Sequence, residues 1–272
     1  MRDDELAAFF GRDDAALQQD PDWARAHTFL LQALEAGRVR AAARGDDGTW
    51  RANAGVKRAI LLGFRRTDLH AMPVGDAPPF FDKPAYPPRS FVLADGVRLV
   101  PGGSAVRRGA FVAKGVVVMP PAYINVGAHV EAGTMVDSHA LVGSCAQIGR
   151  NVHLSAGAQI GGVLEPANAS PVVVEDGAFV GALCGVFEGF VVRERAVLAA
   201  GVVLTAATVV HDLVHGCARR GEIPAGAVVV PGTRPAAGDY AQQHGLQIAS
   251  PLVVKYRDER TDAATALEQA LR

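Results

Sequence analysis

Aliphatic residues recur at every sixth position through the middle of the chain, and this spacing predicts the fold. A period of six matches neither the 3.6-residue period of an amphipathic helix nor the two-residue alternation of a simple strand. It is typical of a chain that runs straight briefly, turns, and points one large side chain inward from each straight segment. Eighteen positions share this register, all of them Val, Ile or Leu: Val100, Val106, Val112, Val118, Ile124, Val130, Val136, Val142, Ile148, Leu154, Ile160, Val174, Val180, Val186, Val192, Leu198, Leu204 and Val210.

The residues between the aliphatic positions indicate tight turns. Glycine stands three residues after the aliphatic in nine of the eighteen repeats, and it reaches positive φ without the steric cost that a Cβ brings. The next residue is usually small, as at Ala110, Ala128 and Thr134. Three six-residue sides make a coil of 18 residues, so we expect a mainly β fold, a parallel β-helix of about six coils. Burial of one aliphatic side chain contributes roughly 1.5–3 kcal/mol, which makes the stacked column an adequate core.

Helical patterns precede the repeat. Residues 22–44 are rich in Ala, Leu and Arg, with apolar residues three and four apart, which predicts a helix that ends near Gly37. The segment DGTWRA then predicts a short strand, and AGVKRAILLGF predicts a second helix. Six prolines lie between Pro73 and Pro88, so we expect this segment to be a linker.

These patterns divide the chain into three parts. We expect an N-terminal helical domain with its proline-rich linker at residues 1–90, the β-helix at 91–232 and a C-terminal extension at 233–272. The extension combines a strand, LVVKYRD, with a helix, TDAATALEQALR. The repeat is interrupted at 163–173 and 211–226, and loops that leave a regular coil often line a functional site.

Composition narrows the function classes. The net charge of -1 argues against an extensive nucleic-acid surface. No stretch approaches 18 uninterrupted apolar residues, and the chain opens on the polar sequence MRDDELAAFFGRDD, so we expect neither a membrane span nor a secretory signal. Cys145, Cys184 and Cys217 are odd in number, and we expect them to be reduced thiols in a cytoplasmic protein.

Several sequence words are far more specific than the six-residue period: SAVRRGAFVA, VMPPAYINVGAHVEAGTMVD, VGSCAQIGRNVHLSAGAQIGGVLEP and EIPAGAVVVPG. Together with VKRAILLGF, FFDK and LVVKYRD, they resemble the tetrahydrodipicolinate N-succinyltransferase family over nearly the whole chain. The resemblance implies a homotrimer of left-handed β-helices, with each active site in a groove between neighbouring subunits. It also implies direct succinyl transfer from succinyl-CoA to tetrahydrodipicolinate in lysine and diaminopimelate biosynthesis, without a covalent acyl-enzyme or a tightly bound cofactor.

Two charged residues in these words are candidates for handling the amine acceptor. Direct N-acylation needs a neutral amine near the thioester carbonyl and a proton acceptor; positioning contributes up to about 7–11 kcal/mol and a general base roughly 10²–10⁴-fold. The resemblance places Asp137, in GTMVDS, against the acceptor amine as a catalytic and substrate-binding residue. It places Arg107, in SAVRRGAF, against a substrate carboxylate, which suits guanidinium geometry. The alternatives are a turn-capping aspartate and a solvated surface arginine.

Small and basic residues are candidates for the acyl-CoA site. Gly162, Ala182 and Ala200 stand where a small side chain lets a pantetheine arm approach the backbone, although each also suits a tight turn. Lys255, in VVKYRD, is a candidate for the CoA phosphates, with an ordinary surface lysine as the alternative. Tyr256 follows where the family usually has a second lysine.

One word departs from the family pattern. The family commonly reads GARSEVVEG where this chain reads GALCGVFEG, so Leu183, Cys184 and Gly185 replace an Arg, a Ser and a Glu. His139 replaces an aromatic residue, and we consider it as a substitute substrate-binding base because its unperturbed pKa lies near neutral pH. The alternative for His139 is an outward turn residue. These changes leave open a diverged relative that acylates a related amino diacid, with acetyl-CoA as a possible donor, in secondary metabolism such as tabtoxin-like β-lactam formation.

Histidine spacing argues against a metal enzyme. A β-helix carbonic anhydrase needs three histidines that converge at a subunit interface. His129 and His153 are 24 residues apart rather than one coil of 18, so they fall on different sides, and we expect no metal site. A catalytically inactive structural trimer is the non-enzyme alternative, and it would bind no acyl-CoA.

Overall fold

Short strands stacked in three parallel sheets form the centre of the molecule. The computed structural model describes residues 1–75 and 77–258, and within them the chain winds as a left-handed parallel β-helix. Met135 pairs with Val117 on one side and with His153 on the other, so one coil is 18 residues. The predicted fold class is therefore confirmed.

The N-terminal domain consists of helices and two hairpins. Its helices are α1 (Asp3–Phe10), α2 (Asp14–Gln19), α3 (Trp23–Glu35) and α4 (Ala54–Arg66), and its hairpins are β1 (Ala42–Arg44) with β2 (Trp50–Ala52) and β3 (His70–Val74) with β4 (Ala77–Asp82). The two predicted helices and the short strand are confirmed. The linker interpretation of Pro73–Pro88 is wrong in its first part, where β3 and β4 pair. A two-stranded ribbon has only edge strands, and these tolerate proline because the lost N–H would face outward.

The coil strands rotate through three faces in chain order, after a single 3₁₀ turn at Leu93–Asp95. The first face contains β5 (Arg98–Leu99), β8 (Val117–Val118), β11 (Met135–Val136), β14 (His153–Leu154), β17 (Phe179–Val180), β20 (Val197–Leu198) and β25 (Ala227–Val230). The second face contains β6 (Ala105–Val106), β9 (Tyr123–Ile124), β12 (Leu141–Val142), β15 (Gln159–Ile160), β18 (Gly185–Val186) and β21 (Val203–Leu204). The third face contains β7 (Phe111–Val112), β10 (His129–Val130), β13 (Gln147–Ile148), β16 (Val173–Val174), β19 (Val191–Val192) and β24 (Glu222–Ile223).

Turns between the faces form three edges, and these carry the candidate residues. The first edge joins the first face to the second and contains residues 119–122, 137–140, 155–158, 181–184 and 199–202. The second edge joins the second face to the third and contains 107–110, 125–128, 143–146, 161–172, 187–190 and 205–209. The third edge contains 113–116, 131–134, 149–152, 175–178 and 193–196. Both predicted interruptions leave the coil between the second and third faces.

The aliphatic column is the core of the coil. All of the eighteen predicted positions except Val100 are at most 5% exposed. The turns are less dependent on glycine than the sequence suggested. Five other residues adopt the same positive φ, between 52° and 64°, at the position three residues after an aliphatic: His139, Cys145, Asn151, Leu183 and Arg195. Each accepts a conformation that is uncommon for residues with a Cβ.

The N-terminal domain packs on the second edge and the third face. Val126 and Cys145, from turns of the second edge, belong to the same buried cluster as Leu34 of α3 and Ile60 of α4. On the third face, Arg40 Nε donates to the side-chain oxygen of Gln147 in β13 over 3.0 Å, and at the adjoining third edge the indole N–H of Trp50 donates to Glu175 over 2.8 Å. The helical domain is thus attached to the coil through both apolar and polar contacts.

The segment after the last coil extends the first face. The excursion at 211–226 holds the hairpin of β22 (Val210–Asp212) and β23 (Cys217–Arg219), and the extension holds β26 (Thr233–Pro235), α5 (Asp239–Gln243), β27 (Gln247–Ala249) and β28 (Leu252–Tyr256). Strand β28 pairs antiparallel with β25, which confirms the predicted strand. The predicted helix at 261–272 lies outside the described residues. Among the residues that are described, no helix has the length and apolar character that a membrane crossing requires.

Candidate active site

Asp137 stands on the first edge, directly after β11. Its side chain is half-buried, and its Oδ1 accepts the backbone N–H of Ser138 over 2.7 Å. The turn-capping interpretation is therefore correct for one carboxylate oxygen. A cap of this kind also fixes the carboxylate at the mouth of the turn, where a ligand that lies along the edge would meet it.

His139 occupies the next turn position on the same edge. It is exposed, its φ is 61°, and its carbonyl accepts the side-chain amide of Gln159 over 3.0 Å. The structure confirms the outward turn position. That position also keeps the imidazole in solvent within two residues of Asp137, where it is available to a ligand.

Ala182 and Ala200 lie on the first edge above Asp137. They are one coil apart, and the carbonyl of Ala182 accepts the N–H of Gly201 over 2.9 Å. Neighbouring coils are spaced by about 4.8 Å, so Ala182, two coils from Asp137 in the stack, is about 10 Å further along the edge. Leu183 beside them is 73% exposed. The structure thus brings Asp137, His139, Ala182 and Ala200 into one line.

Arg107 and Gly162 lie on the second edge instead. The Arg107 guanidinium pairs with Asp82 of β4 and lies 5.7 Å from the centroid of the Phe64 ring. Both partners belong to the N-terminal domain. The second face separates Arg107 from Asp137, so a single chain does not place the two predicted substrate residues side by side.

Lys255 lies in β28, opposite Val228 at the end of the first face. Its neighbour Tyr256 donates its hydroxyl proton to Asp212 over 2.6 Å. Burial alone would raise the pKa of Asp212, but hydrogen bonds from Tyr256, His215 and Arg219 hold that pKa well below its usual value. Tyr256 therefore anchors the last strand to the β22–β23 hairpin, which gives a structural reason for a tyrosine at this position.

A cavity of about 580 Å³ opens at the second edge around Gly162. Its walls come from the excursion at 163–170 on one side and from the turn at 187–188 on the other. The ring of Phe187 lies over two glycines, Gly161 of this cavity and Gly185 of β18: a Cβ built on Gly161 would lie 2.7 Å from Phe187 Cδ1, and one built on Gly185 would lie 3.0 Å from Cζ. Phe187 fills the space that a side chain at position 185 would need.

Two residues of this region were missed by the sequence interpretation, namely Phe187 and Lys57. Phe187 is the fourth change in GALCGVFEG, after Leu183, Cys184 and Gly185, and the loss of a side chain at 185 together with the gain of a ring at 187 was the available signal. Lys57 is a lysine within the apolar pattern of α4, and it is completely buried. Cys184, by contrast, is buried with its Sγ 3.0 Å from the carbonyl of Ala199, and burial raises its pKa to about 11. It is therefore a poor nucleophile.

The two histidines considered for a metal lie on different faces, His129 in β10 and His153 in β14. The 24-residue spacing argument is confirmed. Across residues 1–75 and 77–258 there is no group of three His, Cys, Asp or Glu side chains placed to hold a metal ion.

Comparisons with known proteins agree with the sequence words. A family model described as "Tetrahydrodipicolinate N-succinyltransferase N-terminal" matches residues 6–65, and one described as "Hexapeptide repeat of succinyl-transferase" matches residues 171–206. A 2,3,4,5-tetrahydropyridine-2,6-dicarboxylate N-succinyltransferase of Polynucleobacter asymbioticus is 46% identical over 89% of this chain and 87% of its own. One of the same name from Paramagnetospirillum magneticum is 44% identical over 98% and 96%.

A solved structure supports the same architecture. The crystal structure of a putative 2,3,4,5-tetrahydropyridine-2-carboxylate N-succinyltransferase from Campylobacter jejuni aligns with a TM-score of 0.54, covering 83% of this chain and 62% of that one. At 19% identity this likeness concerns the fold alone. The two relatives above are similar enough, over enough of their length, to assign the family. The chain belongs to the tetrahydrodipicolinate N-succinyltransferase family of hexapeptide-repeat acyltransferases.

Proposed function

We propose that this protein transfers a succinyl group from succinyl-CoA to the amino group of tetrahydrodipicolinate or its open-chain amino diacid form. The observation that carries the proposal is the line of Asp137, Ala182 and Ala200 along one edge of the coil. Small side chains there leave backbone N–H and C=O groups accessible to the amides of an extended pantetheine. Asp137 then stands where the thioester end of that arm would meet an amine.

The reaction needs no covalent acyl-enzyme. The neutral amine attacks the thioester carbonyl, the C–N bond forms, the C–S bond breaks and CoA leaves as its thiolate. Asp137 accepts the proton that the amine loses, and His139 lies close enough in the chain to share this task. Arg107 holds a substrate carboxylate, and Lys255 attracts the CoA phosphates. Acyl-CoA is a cosubstrate in this scheme, and no resident cofactor takes part.

Two chains are needed to complete such a site. Arg107 lies on the second edge and Asp137 on the first, so the first edge of one subunit must face the second edge of another. A homotrimer provides three such pairs by cyclic symmetry. We place the reaction in the cytoplasm, because Cys145, Cys184 and Cys217 are all free thiols.

Apolar replacements support a second possibility for the acceptor and donor. Leu183 on the first edge and Gly185 in β18 stand where the family pattern carries an arginine and a glutamate, and Phe187 covers Gly185. A related amino diacid or acetyl-CoA would suit these apolar surfaces if the primary substrates fail.

The test is an assay of thiol release with succinyl-CoA and acetyl-CoA against a panel of amino diacids. We expect succinyl-CoA with tetrahydrodipicolinate to give the highest kcat/KM, and we expect Asp137→Asn to lose most turnover while the oligomer remains intact. Rescue of a diaminopimelate-requiring strain would support the primary substrate. Turnover only with other diacids would support the second possibility, and no CoA binding by calorimetry would leave a structural trimer.

A further inference from the structure

Lys57 is a buried cation of the N-terminal domain that reaches the excursion beside the cavity. It lies in α4 and is 0% exposed. Its Nζ donates to the carbonyl of Ala169 over 2.7 Å and to that of Pro166 over 3.2 Å. An ammonium group is costly to bury unless its N–H groups are hydrogen-bonded, so these two carbonyls are what make its position tolerable.

The residues that Lys57 holds form a wall of the cavity. Glu165, Pro166, Ala169 and Ser170 line it opposite Phe187. Within the excursion, the N–H of Ala169 donates to the carbonyl of Pro166 over 3.0 Å, which closes a turn whose two carbonyls both point at the ammonium. The Lys57 side chain therefore holds this turn through two hydrogen bonds.

Leu164 of the excursion packs on the buried cluster that contains Ile60 of α4, and the ion pair between the excursion and this helix is exposed. Arg65, two turns further along the helix, approaches Glu165 at 3.8 Å, but these side chains are 54% and 66% exposed. Exposed pairs at such a distance contribute little to stability. Lys57 is the contact from α4 that combines burial with hydrogen bonding.

We propose that Lys57 is a positioning residue for acyl-CoA. It holds the turn at 166–169 in the place that shapes the cavity around Gly162, and through it the N-terminal domain controls how well the donor binds. This inference rests on the proposed function, because it takes acyl-CoA as the ligand of the cavity. Lys57 itself does not touch the ligand.

The experiment compares Lys57→Met with Arg65→Met. Methionine keeps most of the length of the lysine side chain but donates no hydrogen bond. Arg65→Met removes two exposed ion pairs, with Glu165 and with Asp14 at 3.7 Å, and no buried hydrogen bond. We expect Lys57→Met to raise the KM for acyl-CoA and the Kd for CoA about tenfold or more, because misplacing a positioning element by about 1 Å can cost up to about 10²-fold. The KM for the amine acceptor should change much less. Arg65→Met should leave all three constants unchanged.

Hydrogen exchange supplies a readout that does not depend on turnover. Peptides that cover 163–172 should exchange faster in Lys57→Met, while peptides from the coil strands should not. Lys57→Gln, which retains two N–H donors, should recover part of the protection and keeps the test valid if the methionine variant folds poorly. Unchanged exchange at 163–172, or a CoA Kd within twofold of the wild type, would overturn the proposal. Wild-type protein without acyl transfer would instead count against the proposed function, and the exchange result would still decide whether Lys57 holds the turn.

Discussion

The ring of Phe187 occupies the space over Gly185, so we expect Gly185→Ala to lower the stability of the fold by an amount that can be estimated from the structure. A Cβ on Gly185 would lie 3.0 Å from Cζ of Phe187 and closer still to Cε2, so the ring must move when Gly185→Ala is made. Ring movement is restricted on its other side, where Gly161 lies beneath Cδ1. Forcing an extra methyl group into such a contact costs about 1–3 kcal/mol. Reduced entropy of the unfolded chain returns about 0.4–1 kcal/mol, so the net loss should be about 1–2 kcal/mol.

Thermal unfolding of matched variants measures this loss. The expected decrease in Tm is a few degrees, because 1 kcal/mol corresponds to about 2–4 °C in a domain of this size. Gly55→Ala in α4 is the control: its Cβ would meet only Asn53 Oδ1, at an ordinary 3.5 Å, and alanine in a helix stabilises by roughly 0.5–1 kcal/mol relative to glycine. It should therefore raise Tm or leave it unchanged.

A double-mutant cycle tests the cause. Phe187→Ala removes the ring, so Gly185→Ala should cost nothing in that background, giving a coupling energy of about 1 kcal/mol or more. If the effects of Gly185→Ala and Phe187→Ala simply add, the ring does not occupy the space over Gly185. Steric exclusion at Gly185 by Phe187 would then be refuted.

Three further predictions concern acid stability, thiol reactivity and the core. Burial, with a smaller effect of nearby Arg108, lowers the pKa of His27 from 6.5 to about 4. As the pH falls, the imidazole of the unfolded chain is therefore protonated before that of the folded protein. The free energy of unfolding should decrease between about pH 6.5 and about pH 4, by up to about 1.4 kcal/mol per pH unit. The free energy of unfolding, measured by denaturant titration at several pH values in this range, should depend less on pH in His27→Gln than in the wild type. An unchanged pH dependence would contradict the burial argument. With a thiol reagent at pH 8, exposed Cys217 should react at once, while Cys145 and Cys184, with pKa values raised by burial to about 12 and about 11, should react only after unfolding; three fast thiols would refute this. Leu198→Ala, in the fully buried column, should cost about 2–5 kcal/mol in chemical denaturation, and a loss below 1 kcal/mol would argue against a close-packed core.

The coil was predictable because each six-residue side buries one side chain, and the sequence therefore has an aliphatic residue at every sixth position. Two short helices before Trp23 were not predicted, since α1 and α2 are too short to show a helical period. The β3–β4 hairpin was not predicted because its prolines usually indicate a turn or a linker. These two segments form strands because they pair with each other, and the local sequence does not indicate this pairing.

The edge on which each candidate residue lies follows from the repeat, but the side-chain contacts around these residues do not. Asp137, Ala182 and Ala200 fall on one edge, as their spacing in the repeat allows. Arg107 and Asp137 are 30 residues apart, which is not a multiple of the 18-residue coil, so the register itself assigns them to different edges. The ring of Phe187 over Gly185 and the reach of Lys57 to the excursion depend on side-chain packing, and no periodicity reports these contacts.

If two chains of the proposed homotrimer complete each site, oligomers that mix two inactive variants test this most directly. Arg107→Ala and Asp137→Asn should each be nearly inactive alone. When the two variants are coexpressed and assemble at random, about a quarter of the sites in a cyclic trimer should pair an intact Arg107 with an intact Asp137 from the neighbouring subunit. We therefore expect the mixed sample to recover about a quarter of wild-type turnover, measured by thiol release. Turnover no higher than that of the separate variants would show that both residues act within one chain, and would contradict it.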